Sequence, residues 1–135
     1  MSNVPGLPQN SREIYRSLHR AMSAGLVKSC HDLSEGGLAV AIAEMCMAGR
    51  LGCDLKLNGE NIDGQIFGEG NGRLLVELTP ENAKDFLACF ADQLINDVNL
   101  VGIVTNTSYL NINHNDQQII SLTLDNLLKA WQGNI

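Results

Sequence analysis

The stretch His31-Asp32-Leu33-Ser34-Glu35-Gly36-Gly37-Leu38-Ala39-Val40-Ala41-Ile42-Ala43-Glu44-Met45 decides the fold. Ahead of it, Leu26 to Cys30 is short and mostly apolar, as a buried strand is, and it runs into a polar turn closed by a glycine pair. Behind the turn, Leu38, Ala41, Ile42, Met45 and Cys46 recur at helical spacing and Gly49 stops the pattern. Strand, turn and helix therefore follow one another without a spacer. A turn of this kind points free backbone N–H groups and the positive end of a helix dipole at one spot, which is what a phosphate requires. Gly36 and Gly37 would admit a ligand to the backbone, and Ser34 can either cap the helix or donate to a phosphate oxygen. Asp32 can hold Mg²⁺, which takes one carboxylate together with phosphate oxygens and water, and His31 can orient Asp32 or meet a substrate oxygen. The same residue types also serve ordinary turns and caps that bind nothing. Glu44 suits a buried partner for a backbone or Arg group as well as it suits a metal.

Working outward, residues 1–9 hold Pro5, Gly6 and Pro8 without periodicity and read as an arm or linker. From there to residue 135 the chain reads as one domain, within the usual domain size range. Ile14, Leu18, Ala21 and Met22 mark a first helix with Ser11 as its cap and Gly25 at its end. After the central motif come a strand over Leu51 to Leu57, a glycine-containing loop over Asn58 to Gly64, and a strand over Gly72 to Leu78. A helix from Pro80 to Asp92 and a strand from Asn99 to Val104 follow. Tyr109 to Asn113 and Gln118 to Leu122 form a hairpin, and Leu124 to Trp131 is a last helix capped by Thr123. This order predicts an α+β fold, a mixed sheet layered with helices.

A second glycine cluster, Phe67-Gly68-Glu69-Gly70-Asn71-Gly72-Arg73, precedes a strand rather than a helix, so it is not a dinucleotide fingerprint. Such a loop can touch phosphates, and Glu69 and Arg73 can equally pair with each other or with nearby charges. No nucleophile constellation is visible: His19 falls on the first helix and His114 at a hairpin tip. Cys30, Cys46, Cys53 and Cys89 lack a CxxC pair and read as small reduced core residues. Fifteen acidic against nine basic residues, a net charge of −6, leave no basic footprint for nucleic acid. No run approaches the roughly 20 apolar residues that span a bilayer, and the N-terminus lacks a signal-peptide layout, so a cytoplasmic protein without a membrane partner is expected.

The residues 31 to 45 resemble the His-Asp-x-Ser-x-Gly-Gly-Leu-x-x-Ala-x-x-Glu-Met signature in the C-terminal domain of the phosphoribosylformylglycinamidine synthase family. The helix ending in Gly-Leu-Val, the Leu-Gly-Cys-Asp strand and the Phe-x-Glu-x-x-x-Arg loop fall in the same family order, and together they cover most of residues 5 to 105. Relatives in the aminoimidazole ribonucleotide synthetase-related superfamily carry other versions of the turn.

The resemblance implies a three-layer α/β/α domain, partly ferredoxin-like. It also implies an intact ligase of de novo purine biosynthesis that uses ATP and glutamine-derived ammonia to turn formylglycinamide ribonucleotide into its amidine. ATP and Mg²⁺ would be its cofactors. Its partners would be the N-terminal domains of the same synthase and a glutaminase subunit or domain, and the isolated domain would not turn over alone. By position, Ser34, Gly36 and Gly37 would bind nucleotide phosphate, Asp32 the metal, and Glu69, Arg73 and His31 would form the substrate side. The match is closest to the second half of the synthase, where the equivalent site is often a structural nucleotide pocket. Where the family reads Phe-Ser-Glu-Ser, this chain has Phe67-Gly68-Glu69-Gly70, which removes two hydroxyls. Two other readings stand beside this one: a free-standing nucleotide-binding or assembly module of the same fold, and the C-terminal domain of another ATP-dependent member of the superfamily.

Overall fold

The computed structural model describes residues 9–133. The expected arm at residues 1–9 lies outside them except for its last residue. The described chain forms two compact units, one from residues up to Leu33 with Gly70–Asn99, the other from Ser34–Glu69 with residues from Leu100 onward.

The first unit holds helix α1 (Ser11–Ser23), strands β1 (Ser29–Asp32) and β3 (Leu74–Glu77), and helix α4 (Ala83–Ala88) behind a 3-10 turn at Pro80–Asn82. Its core is Leu18 and Ala21 of α1 packed with Phe86, Phe90 and Leu94, and flanked by Leu74 and Val76 of β3. The Phe86 and Phe90 rings meet at 5.2 Å and 50°, a tilted geometry that aromatic pairs favour. Helix α4 is shorter than the Pro80 to Asp92 helix expected. Beyond Ala88 the Cys89 and Phe90 N–H groups bond three residues back, at 3.0 Å each, and tighten the last turn. Buried Ser17 is satisfied by the Arg20 guanidinium at 3.0 Å, and the same side chain donates to the Cys89 carbonyl at 2.6 Å. The cap of α1 falls on Asn10 with no side-chain bond, so Ser11 does not cap as expected.

The second unit holds α2 (Gly37–Gly49), β2 (Gly52–Leu57), α3 (Ile62–Phe67), β4 (Gly102–Thr105), β5 (Tyr109–His114), β6 (Gln117–Thr123) and α5 (Leu124–Trp131). Its sheet runs β4-β2-β5-β6, with β2 and β5 parallel and the other pairs antiparallel. The mixed sheet and the α+β class are those the sequence predicted. Alternation sorts the faces: Cys53, Leu55, Leu57, Leu110 and Ile112 are buried. The intervening residues form a polar row on the other face, Asn111 donating to Asp54 and accepting from Ser121, both at 2.8 Å. The hairpin between β5 and β6 turns on Asn115 and Asp116, whose φ values of 47° and 63° are those a two-residue hairpin turn demands. Thr123 caps α5 by accepting from Asn126 N–H at 3.2 Å, as expected.

Other expected boundaries also move, two of them at the candidate site's elements. The strand read at Leu26 to Cys30 lies at Ser29–Asp32, because the Leu26 N–H is used to close α1 on the Ala21 carbonyl at 3.0 Å. His31 and Asp32 are therefore strand residues and not turn residues. The loop read at Asn58 to Gly64 gives way after Asn61 to α3, whose first turn Asn61 caps by accepting from Gly64 N–H at 3.0 Å.

Candidate functional site

The central motif is divided between the units after Leu33, and its two parts are built by different means. In the first unit β1 pairs antiparallel with β3 in the register His31 to Leu75 and Asp32 to Leu74. The Leu33 N–H extends the ladder by donating to the Arg73 carbonyl at 3.0 Å. His31, Asp32 and Arg73, predicted from separate parts of the sequence, are thus brought to one end of a two-stranded ladder. His31 Nδ1 donates to the Asp32 carbonyl at 2.7 Å and stands 3.6 Å from the Asp32 carboxylate, an arrangement in which the ring orients the acid. The Asp32 side chain is 69% exposed, so this contact holds a geometry while adding little to stability. Cys30 precedes them and is exposed, not a core residue as expected, whereas Cys46 and Cys53 are buried as predicted. Although the residue is exposed, partial desolvation of the thiol pushes the Cys30 pKa up, and the Asp32 charge adds to the shift.

In the second unit Gly36 is the N-cap of α2 with φ 77°, and Gly37 follows with φ 60°. The sequence read these glycines as openings for a ligand; the structure shows what else requires them. A Cβ on Gly37 would sit 2.8 Å from the Ile66 carbonyl oxygen and 3.0 Å from that of Gly68, so the start of α2 lies directly against the end of α3. A Cβ on Gly36 would meet Val40 Cβ at 2.9 Å. Their N–H groups are also engaged: Gly37 donates to the Ser34 carbonyl at 3.1 Å, and Gly36 donates to Glu69 Oε1 at 2.9 Å. Ser34, Gly36, Gly37 and Glu69 therefore form one cluster. No acidic residue lies in the first turn of α2 itself and no side chain caps it, so Glu69 supplies from outside the negative charge that a helix N-terminus favours. Helix geometry leaves the next N–H groups, Leu38 and Ala39, without an intrahelical acceptor.

Helix α3 was the missed element. Its signal was present in the sequence as Asn61 followed by Ile62 and Ile66 at helical spacing, an asparagine cap ahead of a short apolar stripe.

Among the described residues no group of three or more His, Cys, Asp or Glu side chains is placed to hold a metal. A single carboxylate such as that of Asp32 could serve Mg²⁺ only with phosphate oxygens and water completing the shell. An open apolar groove of about 360 Å³ also lies in the second unit, between α2 and α5 over β5 and β6, with Val40, Met47, Phe67, Leu122 and Trp131 on its walls. Its lining offers nothing to a phosphate. Glu44 lies at this groove, away from any acidic cluster. No helix among the described residues is long and apolar enough to cross a membrane.

Residues 4–115 match the family described as AIR synthase related protein, C-terminal domain. The chain is 37% identical over 133 residues to the phosphoribosylformylglycinamidine synthase subunit PurL of Lactobacillus acidophilus, covering 98% of this chain and 17% of that protein. It is 32% identical over 127 residues to PurL of Prochlorococcus marinus, covering 87% and 16%. The solved structure of T. maritima PurL complexed with ATP superposes with a TM-score of 0.74 at 17% identity, over 86% of this chain and 21% of that one. The chain thus spans about a sixth of the length of these curated relatives.

Proposed function

Because the chain belongs to the AIR synthase related family through that family's C-terminal domain, we propose that residues 10–135 serve as this domain in a phosphoribosylformylglycinamidine synthase of the PurL kind. The whole enzyme would be an ATP-dependent ligase that converts formylglycinamide ribonucleotide and ammonia to the amidine in the cytoplasm. N-terminal domains of the same synthase would complete its clefts, and a glutaminase subunit or domain would supply the ammonia. The observation that carries this reading is the Gly36 N–H bond to Glu69 at 2.9 Å, which joins the two family segments, the turn and the Phe-x-Glu loop, into one preformed surface.

The roles divide between the two units. Gly36 and Gly37 shape the turn with N–H groups already in use, so the nucleotide phosphate would be met by Ser34 and the open N–H groups at the start of α2. Asp32, oriented by His31, would hold Mg²⁺, whose contribution is to neutralise phosphate charge as phosphoryl transfer requires. Arg73 would stand on the substrate side with a fixed guanidinium charge. Glu69 would act by holding Gly36, and the missing hydroxyls at Gly68 and Gly70 leave that loop few groups for a substrate.

A hybrid tests this. The corresponding segment of Lactobacillus acidophilus PurL is replaced by this chain, and ADP release is followed with formylglycinamide ribonucleotide and ammonia. The expected result is substrate-dependent turnover that Asp32→Ala lowers about a hundredfold, the scale of one lost electrostatic contact to a transition state. A folded but silent hybrid, beside an active parent, would overturn the catalytic reading and leave an assembly module.

A further inference from the structure

The chain contains two Asn-Gly pairs, Asn58-Gly59 and Asn71-Gly72. Asparagine is a chemically labile residue, and it is most so ahead of glycine, because a residue without Cβ lets its backbone nitrogen approach the side-chain amide carbon. Both asparagines are exposed, and both glycines have positive φ, 111° at Gly59 and 80° at Gly72. Sequence and exposure therefore do not separate the two pairs. Their hydrogen bonds do.

Within the second unit the Asn58-Gly59 peptide is pinned from both sides. The Gly59 N–H, whose nitrogen would have to attack, donates to Asn115 Oδ1 at 3.2 Å. The Asn58 carbonyl accepts from Gln65 Nε2 at 2.8 Å, and the Gly59 carbonyl accepts from His114 Nε2 at 2.7 Å and from Asn115 Nδ2 at 3.4 Å. Any rotation that carries the Gly59 nitrogen over the Asn58 amide must break these bonds. Asn71-Gly72 lies in the first unit, in the loop ahead of β3, and among the described residues nothing accepts from the Gly72 N–H. The ladder resumes only at the next residue, where the Arg73 carbonyl takes the Leu33 N–H at 3.0 Å.

We propose that Asn71 is a site of spontaneous deamidation and that the fold protects Asn58 from the same reaction. The Gly72 nitrogen loses its proton to hydroxide and bonds to Asn71 Cγ, the Cγ–Nδ2 bond breaks, and ammonia leaves, closing a cyclic imide. Water then adds at either ring carbonyl and opens the ring, to aspartate or to isoaspartate. Water is the only reagent consumed, and nothing is oxidised or reduced. The product sets a carboxylate next but one to Arg73, at the end of the ladder that carries Asp32. Isoaspartate also inserts an extra methylene into the backbone ahead of β3. One slow step therefore changes both the charge and the geometry of the Phe-x-Glu-x-x-x-Arg loop.

The test holds the full chain at mildly alkaline pH and follows, by peptide mapping and mass, the conversion of amide to acid at each asparagine. The expected result is conversion at Asn71 about tenfold faster than at Asn58, the factor that one hydrogen bond of ordinary strength imposes. In urea, where both loops are open, the two rates should converge. Asn115→Gly removes the acceptor of the Gly59 N–H while glycine keeps the hairpin turn at φ 47°. It should raise the rate at Asn58 and leave that at Asn71 unchanged. An intact Asn71 overturns the proposal, as does conversion at Asn58 equally fast in the folded chain or an Asn58 rate that Asn115→Gly does not raise. Should Asn115→Gly not fold, the comparison in urea decides, since a difference that persists there lies in the sequence and not in the fold.

Discussion

The two parts of the central motif differ in what holds them. Cys30 to Leu33 is held by a strand ladder, which uses backbone groups: Asp32 is mostly exposed and His31 sits beside it at 3.6 Å. Ser34 to Gly37 is held by backbone packed on backbone, with Gly37 against Ile66 to Gly68 and both glycine N–H groups engaged. The contrast teaches that adjacent residues in one motif can carry opposite loads. Substitution in the first part should alter ligand chemistry with little effect on folding, and substitution in the second should alter folding first.

The largest effect comes from attacking the packed part. Gly37→Ala adds a methyl that would sit 2.8 Å from backbone atoms of Ile66 and Phe67, neither of which can rotate away, and it does so at φ 60°. Overpacking and left-handed strain together should cost about 3 kcal/mol or more. Urea unfolding of the second unit's helical signal measures it, and a loss under about 1 kcal/mol would show that the turn is looser than its packing implies.

Much of this was legible in the sequence, and the failures share a cause. The helical stripe of α2, the alternation in β2 and the hairpin around Asn115 and Asp116 are local patterns, and all three stand in the structure. The purpose of Gly36 and Gly37 was not legible. The constraint on Gly37 comes from α3, far along the chain, and that on Gly36 from Val40 and Glu69, and a glycine that admits a ligand looks the same in one dimension as one that admits another helix. Cys30 was misjudged for a related reason: an apolar run does not reveal which face its residues take, and the ladder with β3 turns Cys30 outward with Asp32. Asp32 and His31 were read as a pair from adjacency alone, and they do meet.

A middle effect tests the bond that joins the turn to the Phe-x-Glu loop. Glu69→Ala removes the acceptor of the Gly36 N–H and the carboxylate that this bond brings to the start of α2. The contact is exposed, so the loss should be about 0.5 to 1 kcal/mol. Glu69→Gln keeps an acceptor oxygen without the charge and should recover about half. If both substitutions cost the same, the charge and not the hydrogen bond governs the contact. If neither costs anything, the two family segments are not joined through Glu69.

The smallest effect on stability belongs to the open part, where the readout is pH. The folded chain holds the Cys30 thiol neutral to higher pH than usual, through burial first and the Asp32 charge second. A raised value means that this contribution to stability is complete below the thiol's ordinary range and is lost as pH climbs through the raised value. Alkylation of Cys30 should therefore begin at higher pH than alkylation of a free thiol. Asp32→Asn removes the second cause while leaving the first, so the alkylation profile should move only part of the way back. The exposed position of Asp32 should keep the change in unfolding free energy within about 0.5 kcal/mol. An unmoved profile would mean that the Asp32 charge does not reach the thiol. A large loss of stability would mean that the ladder end is as tightly built as the glycine turn, and the contrast between the two parts would fail.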